Sequence, residues 1–430
     1  MAEEYKLSLP SAVIINLNIM LGTGIFINSA DFAQKAGPFS FSPYLIIGIL
    51  MIPLIMAMAV LINNQADGSF YGVAKHELGS FWGFISTWSY FIAKPASAGL
   101  MIHFCCSLFR QLFPVFTVIP VLALDTIVIT LFVILNLLNM RIGRNIQLSF
   151  IALKAIPILF IMISGLWLLN PSNFTNIEIP FANIAVMLPL AIYAFTGFEA
   201  SLSLNRHIKD ARRNAPRAII ISYLIVMCTF LLYQLGYYGA LNLAQLSGTN
   251  SFDGIALFLQ SIFVQPHHTL KALLYICMGT SALGGAYSIL FSNAWNLHNL
   301  AHNNHLNLKK YLTATNAAGI AYWCLFIEAG ACFLYLFFTE ANPVTLRQIN
   351  AFGSTLAYTT SMFAFAVMAF ATLKKRWAKI LAIFALCSCS TFILACVNSF
   401  REFGPLALVA FLGLLLLGTL LYMIAKKQVA

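Results

Sequence analysis

Gly22-Thr23-Gly24 sits inside the first long apolar stretch of the chain, Asn18-Ile19-Met20-Leu21-Gly22-Thr23-Gly24-Ile25-Phe26. A helix in hydrocarbon satisfies its amides and carbonyls within its own ladder, because lipid offers no replacement partner. Two glycines around a threonine invite that ladder to open, which is tolerated only beside protein or a polar cavity. A second break, Thr196-Gly197-Phe198-Glu199, lies in the sixth apolar segment after Tyr193-Ala194-Phe195. Each break leaves free amides at the start of one half-helix and free carbonyls at the end of another. Half-helix N-termini attract a carboxylate and exposed carbonyls attract an ammonium. An α-amino acid carries both groups, and paired breaks in two halves are the pattern of a secondary transporter.

Ionisable residues within apolar segments are the next candidates, since a charge at the bilayer centre costs about 3 kcal/mol and needs a partner or a cavity. Lys154, in the fifth segment, is the first coupling candidate; the alternative is a lysine snorkelling to the interface. Glu199, just past the second break, is the other coupling candidate, as a proton carrier or as the carboxylate capping a half-helix. Lys94, before Pro95 in the third segment, and Asn18, at the head of the first break, are candidates for specificity. A cavity-facing Lys94 would favour a substrate with a second carboxylate or one lacking a cationic side chain. An internal pair of Lys94 with Asp125 or Glu328 is the preferred reading. His298, His302 and His305 follow helical spacing, but without a neighbouring Cys or carboxylate a solvated helix end is favoured over a metal site. Asn173-Phe174-Thr175 fits a glycosylation sequon and is read as chance.

The elements that must position these residues are set by composition. Of 430 residues, 60 % are hydrophobic and only 9 % charged, where a soluble domain carries roughly 25 % charged residues. The net charge of +11 is dispersed in short gaps between apolar runs, which argues against a nucleic-acid partner. The nine cysteines all fall in or beside apolar stretches and suggest no disulfide framework. Glu3 and Glu4 stand where a signal peptide would be basic, so the first helix is expected to remain in the mature protein.

A spanning helix takes about 20 apolar residues. Candidate spans cover 10–36, 41–62, 80–112, 118–139, 146–169, 182–204, 217–240, 271–300, 314–339, 346–373, 378–398 and 404–425, about twelve in all. The fold class expected is an all-α membrane protein in a single transporter domain, 1–430. Its first repeat would be 10–169 (helices 1–5) and its inverted repeat 182–373 (helices 6–10), followed by two helices in 378–425. Basic residues crowd the gaps on the side of both termini, as at Arg141, Arg144, Arg206, Arg212, Lys309 and Lys374. The other side holds only Lys35, Arg110, Lys271, Arg347 and Arg401. The positive-inside rule then makes both termini cytoplasmic, in a plasma (bacterial inner) membrane. In the gap 241–270, the spacing of Phe252, Ile255, Ala256, Leu259 and Phe263 suits a short amphipathic helix on the outer face.

At Gly22-Thr23-Gly24-Ile25-Phe26 and Ala194-Phe195-Thr196-Gly197-Phe198-Glu199-Ala200 the sequence resembles the amino acid–polyamine–organocation (APC) transporter superfamily. Its members have the five-plus-five inverted repeat of leucine-transporter-like folds, with helices 1 and 6 broken. Asp67-Gly68-Ser69-Phe70-Tyr71, Phe81-Trp82-Gly83-Phe84, Lys154-Ala155-Ile156-Pro157 and Arg212-Arg213-Asn214-Ala215-Pro216-Arg217-Ala218 carry further similarity in order. The resemblance implies that Gly22, Thr23 and Gly24 offer amides to a substrate carboxylate. Carbonyls of Tyr193, Ala194 and Phe195 would accept from its ammonium beside Thr196 and Gly197, with Tyr193 as an aromatic gate. It also implies that Lys154 stands in for the sodium ion of sodium-coupled relatives. The substrate would be an amino acid or related amine, moved with protons or by exchange, without a cofactor. Asn205-Arg206-His207 departs from the acidic residue common in the family, as does Ala211 from a proline. A membrane enzyme would need a polar catalytic cluster that the scattered histidines do not supply. An amino acid sensor that binds without transport remains the rival.

Overall fold

Segments this poor in charge cannot face water, and their backbones must bond internally, so the chain folds as a bundle of helices. The structure is a computed structural model that describes residues 6–64, 69–138, 140–175, 181–242, 244, 246, 253–263 and 268–429. Asp67 and Gly68 of the motif before the third segment, Phe252, and the Arg141 side chain lie outside the described residues.

The helices run α1 (Leu9–Met20), α2 (Gly24–Ala36), α3 (Ser42–Asn64), α4 (Phe70–Leu78), α5 (Ser80–Leu112), α6 (Val121–Asn136) and α7 (Met140–Trp167). They continue as α8 (Phe181–Phe195), α9 (Ala200–Ser203), α10 (Ala211–Gly239), α11 (Gly254–Ile262), α12 (His268–His302) and α13 (Lys309–Leu312). The last are α14 (Tyr322–Phe338), α15 (Pro343–Val367), α16 (Arg376–Phe403) and α17 (Leu406–Val429). Among the described residues, nine candidate spans are long and apolar enough to cross a membrane, the first running through the break between α1 and α2. Three shorter apolar helices, α6, α8 and α14, accompany them.

Burial sorts the helices into a core and a wall. In the most apolar stretch of α5, 89 % of residues are buried, against 22 % in α17, so α5 is interior and α17 faces outward. α5 packs against α12, α15, α4 and α14, and the broken pair α1–α2 lies among α7, α8, α10 and α12. Ile163, Leu394, Leu416 and Phe338 are exposed on the wall, the apolar exterior that lipid requires. Prolines inside the helices free carbonyls that neighbours then bond. Pro95 withdraws a donor from the Phe91 carbonyl, and Asn293 Nδ2 replaces it at 3.0 Å.

Several expectations shift. α14 starts at Tyr322 rather than near 314, because Asn316 Oδ1 accepts from the amides of Ala318 and Ile320 and Gly319 turns with φ +79°. The short amphipathic helix expected in the 241–270 gap is present as α11, whose Ile255, Phe258 and Leu259 are buried as the helix packs on α2. Its apolar stripe serves a protein contact. Arg347, counted above among loop charges, is 1 % exposed in the first turns of α15. Asn173 is committed to structure: its Nδ2 donates to the carbonyls of Tyr238, Gly239 and Leu241, which end α10.

Candidate functional site

α1 makes its last helical bond from the Leu21 amide to the Leu17 carbonyl at 2.8 Å, and α2 resumes with Phe26 and Ile27 donating to the Thr23 carbonyl. Among the described residues, the amides of Gly22, Thr23, Gly24 and Ile25 meet no backbone acceptor. Four donors therefore point from the start of the 13-residue α2, the positive end of its dipole. The carbonyls released on the α1 side have found a cation. Lys154 Nζ, fully buried, donates to Asn18 O at 2.8 Å and to Leu21 O at 3.1 Å, and Ser281 Oγ also donates to Leu21 O at 3.2 Å. The snorkelling alternative does not fit a side chain so enclosed. Asn18 differs from expectation: its Nδ2 turns to Gln147, donating to the backbone carbonyl at 2.8 Å and to Oε1 at 3.0 Å. It braces α1 on α7, so its side chain is not aimed between the breaks.

The second break opens after Phe195. Thr196 Oγ1 donates to the Tyr193 carbonyl at 2.9 Å, while the carbonyls of Ala194 and Phe195 receive no described backbone donor. Gly197 takes φ +124°, which only glycine adopts without strain, and its amide donates to Glu199 Oε2 at 2.8 Å. The four-residue α9 follows. The two breaks abut. Thr23 Oγ1 and Tyr193 Oη lie 2.8 Å apart, and a Cβ on Gly24 would stand 2.8 Å from the Ala194 Cβ. A Cβ on Gly197 would stand 2.5 Å from Ile19 Cγ2. The two breaks thus lie side by side, joined by a Thr–Tyr contact.

A family match extends across almost the whole chain. A model of the family described as "Amino acid permease" matches residues 7–422. The chain belongs to that family. The permease is 24 % identical over 390 residues to the aromatic amino acid transport protein AroP of Escherichia coli K12, covering 85 % of this chain and 80 % of the relative. It is 22 % identical over 374 residues to the D-serine/D-alanine/glycine transporter of the same strain, covering 82 % and 76 %. It is an integral multi-pass membrane protein of the APC superfamily and not an enzyme.

Around the breaks, the permease places residues that the sequence reading missed or paired differently. Lys94 meets Glu199, at 3.1 Å, and neither Asp125 nor Glu328 as expected. Asp125 Oδ2 instead contacts His103 Nδ1 at 2.8 Å, and Glu328 Oε1 accepts from Asn293 at 3.0 Å. α15 presents Asn350, Ser354 and Tyr358 at intervals of four, and Asn350 Nδ2 donates to Thr196 Oγ1 at 2.9 Å. That polar stripe in an apolar segment was available as a helical-period signal.

The face bearing both described chain ends and the opposite face differ in how they close. Opposite, Arg347 Nη1 donates to Asn28 Oδ1 at 2.8 Å and Asp31 Oδ2 at 3.1 Å, tying α15 to α2. Replacing Arg347 with alanine should lower stability by about 1.5–3 kcal/mol, since it removes charged hydrogen bonds to Asn28 and Asp31 that tie α15 to α2. A clear fall in the thermal transition of the purified protein in detergent checks this; an unchanged transition refutes it. On the terminal face, a cavity of about 370 Å³ opens beside α9, lined by Leu202, Ser203, Asn205, His207, Trp295 and Asn299 among others. Leu7 bridges its rim, donating to the His207 carbonyl at 2.7 Å and accepting from the Lys209 amide at 2.9 Å. Burial pushes His207 and His305 down to about 4, so both are neutral at ordinary pH. His305 Nε2 is engaged with Tyr71 Oη at 2.6 Å, and His298 packs on Trp295, so the three histidines do not converge on one point. Among the described residues no His/Cys/Asp/Glu group is arranged to hold a metal.

Proposed function

We propose that the permease is a secondary active transporter that moves amino acids by alternating access around the paired breaks. The amides of Gly22, Thr23 and Gly24 take the substrate carboxylate, and the carbonyls of Tyr193, Ala194 and Phe195, beside Thr196 and Gly197, take its ammonium. The observation that carries this reading is that the unpaired amides at the start of α2 and the open carbonyls after α8 belong to breaks in contact through Thr23 and Tyr193. Relatives named for amino acid transport support the substrate class. The nine long and three shorter apolar helices are read as twelve spans, with 10–169 and 182–373 as inverted repeats and both termini cytoplasmic in a bacterial inner membrane. On that orientation, the cavity beside α9 opens inward and the Arg347 contacts seal the outside.

Lys154 replaces a coupling sodium ion, because its ammonium already occupies carbonyls freed by the first break. Transport is therefore driven by protons or by exchange. Glu199 is the second coupling residue: a proton on its carboxylate would dissolve its attraction to Lys94 and loosen the hold on the Gly197 amide. Uptake of a panel of radiolabelled amino acids into proteoliposomes tests the proposal. Accumulation or exchange of at least one is expected. Binding without accumulation or exchange would identify an amino acid sensor instead, and no binding at all would overturn the site.

A further inference from the structure

The buried pair Lys94–Glu199 sits against the break itself. Glu199 Oε2 accepts from the Gly197 amide at 2.8 Å, and its Oε1 lies 3.1 Å from Lys94 Nζ. Both side chains are at most 1 % exposed. α5 delivers the lysine on the face that also carries Tyr90, whose ring Nζ overlies at 4.7 Å, and Ser97, which faces the Tyr193 phenol. Lys94 therefore belongs to the helix face that lines the site.

A carboxylate held at the break, in an interior this poor in water, requires a cation whenever it is ionised. Two sources could supply it: a residue of the protein, or the ammonium or guanidinium of a substrate side chain. Here the protein supplies it. We infer that Lys94 is a specificity-determining residue: by neutralising Glu199 it restricts the permease to amino acids with uncharged side chains and excludes cationic ones. The inference rests on the proposed site and deepens it.

Two further observations support this. Lys94 Nζ lies 3.1 Å from Glu199 Oε1, and the hydroxyls of Tyr90 and Tyr358 also lie near the Glu199 carboxylate. Ser354 and Tyr358, from the α15 stripe, are fully buried beside each other, with the Tyr358 hydroxyl near the Glu199 carboxylate. Such a lining offers neutral hydrogen-bonding capacity once the ions cancel. A substrate cation would be repelled by the lysine, and a substrate anion would compete with Glu199 for it. Of the other buried carboxylates, Glu328 is occupied by Asn293, which also bonds the Phe91 carbonyl on α5, and Asp125 by His103.

The test is uptake into proteoliposomes, using the neutral amino acid that the wild-type protein takes up fastest, with labelled arginine and glutamate alongside. For the wild type, a hundredfold excess of arginine or glutamate should change neutral uptake less than twofold. Lys94→Gln should raise arginine uptake, relative to the neutral amino acid, at least tenfold. Lys94→Arg should keep arginine excluded, and Lys94→Gln/Glu199→Gln should lose the gain. Should Lys94→Gln fail to fold, the wild-type competition still decides. Neutral uptake that arginine suppresses as well as a neutral competitor does, or an unchanged ratio in a folded Lys94→Gln, overturns the inference alone. No uptake or binding of any amino acid by the wild type overturns the site beneath it.

Discussion

Lys154→Ala is expected to reduce amino acid uptake by roughly a hundredfold or more, while the protein still reaches the membrane. The argument starts from the backbone. Opening α1 at Gly22 strips the Asn18 and Leu21 carbonyls of helical donors in a region without water, and Lys154 Nζ serves both, at 2.8 and 3.1 Å. A hydrogen bond to a charged group contributes about 1.5–3 kcal/mol. Losing two frees the last residues of α1 from Lys154, while Asn18 still braces the helix on α7, and the amides of Gly22 to Gly24 lose their aim. Ser281 still bonds Leu21 O at 3.2 Å, so local order survives only in part. The pH profile of residual uptake provides the second readout. Undiminished uptake with its pH dependence intact would refute both the structural and the coupling role.

Gly24→Leu should abolish substrate binding, read as loss of the ligand-induced thermal shift, with the variant still extracted from membranes. The Cβ position on Gly24 lies 2.8 Å from the Ala194 Cβ and 2.9 Å from the Ala194 Cα, and a backbone neighbour cannot swing aside. Overpacking costs typically about 1–3 kcal/mol when the surroundings yield. Here yielding means pushing α8 away from α2, which separates Thr23 from Tyr193 and parts the amides from the carbonyls. Gly22 is more forgiving, because its Cβ would meet the flexible end of Met101 at 2.4 Å. A Gly24→Leu protein that binds with native affinity would place the substrate elsewhere.

Much of the bundle was legible because its signals are local. Apolar runs bounded by charge marked α3, α5 and α12 to within a few residues, and Gly-Thr-Gly and Thr-Gly-Phe-Glu marked both breaks, because glycine within an apolar run weakens the ladder wherever it occurs. The failures have a common cause. α14 began late because one asparagine side chain bonds two nearby amides, a choice periodicity does not register. Arg347 counted as a loop charge until Asn28 and Asp31 were seen beside it. Lys94 was assigned the wrong acid, since Asp125, Glu199 and Glu328 all lie in apolar segments and nothing in their spacing ranks them.

By itself, then, the order of residues determined that this is a membrane bundle with two interrupted helices, and which ions must be hidden inside it. Those properties follow from transfer free energies and backbone propensities that act within a few turns of chain. The tertiary structure alone decided which orphaned group each buried ion serves: Lys154 the carbonyls of α1, Glu199 the Gly197 amide and Lys94, Arg347 the acid on α2. Except for the local Glu199–Gly197 contact, such partnerships depend on distances between helices remote in the chain. Hydrogen bonds form only at about 3 Å and charge attraction weakens with distance, so packing chooses among candidates of the same charge.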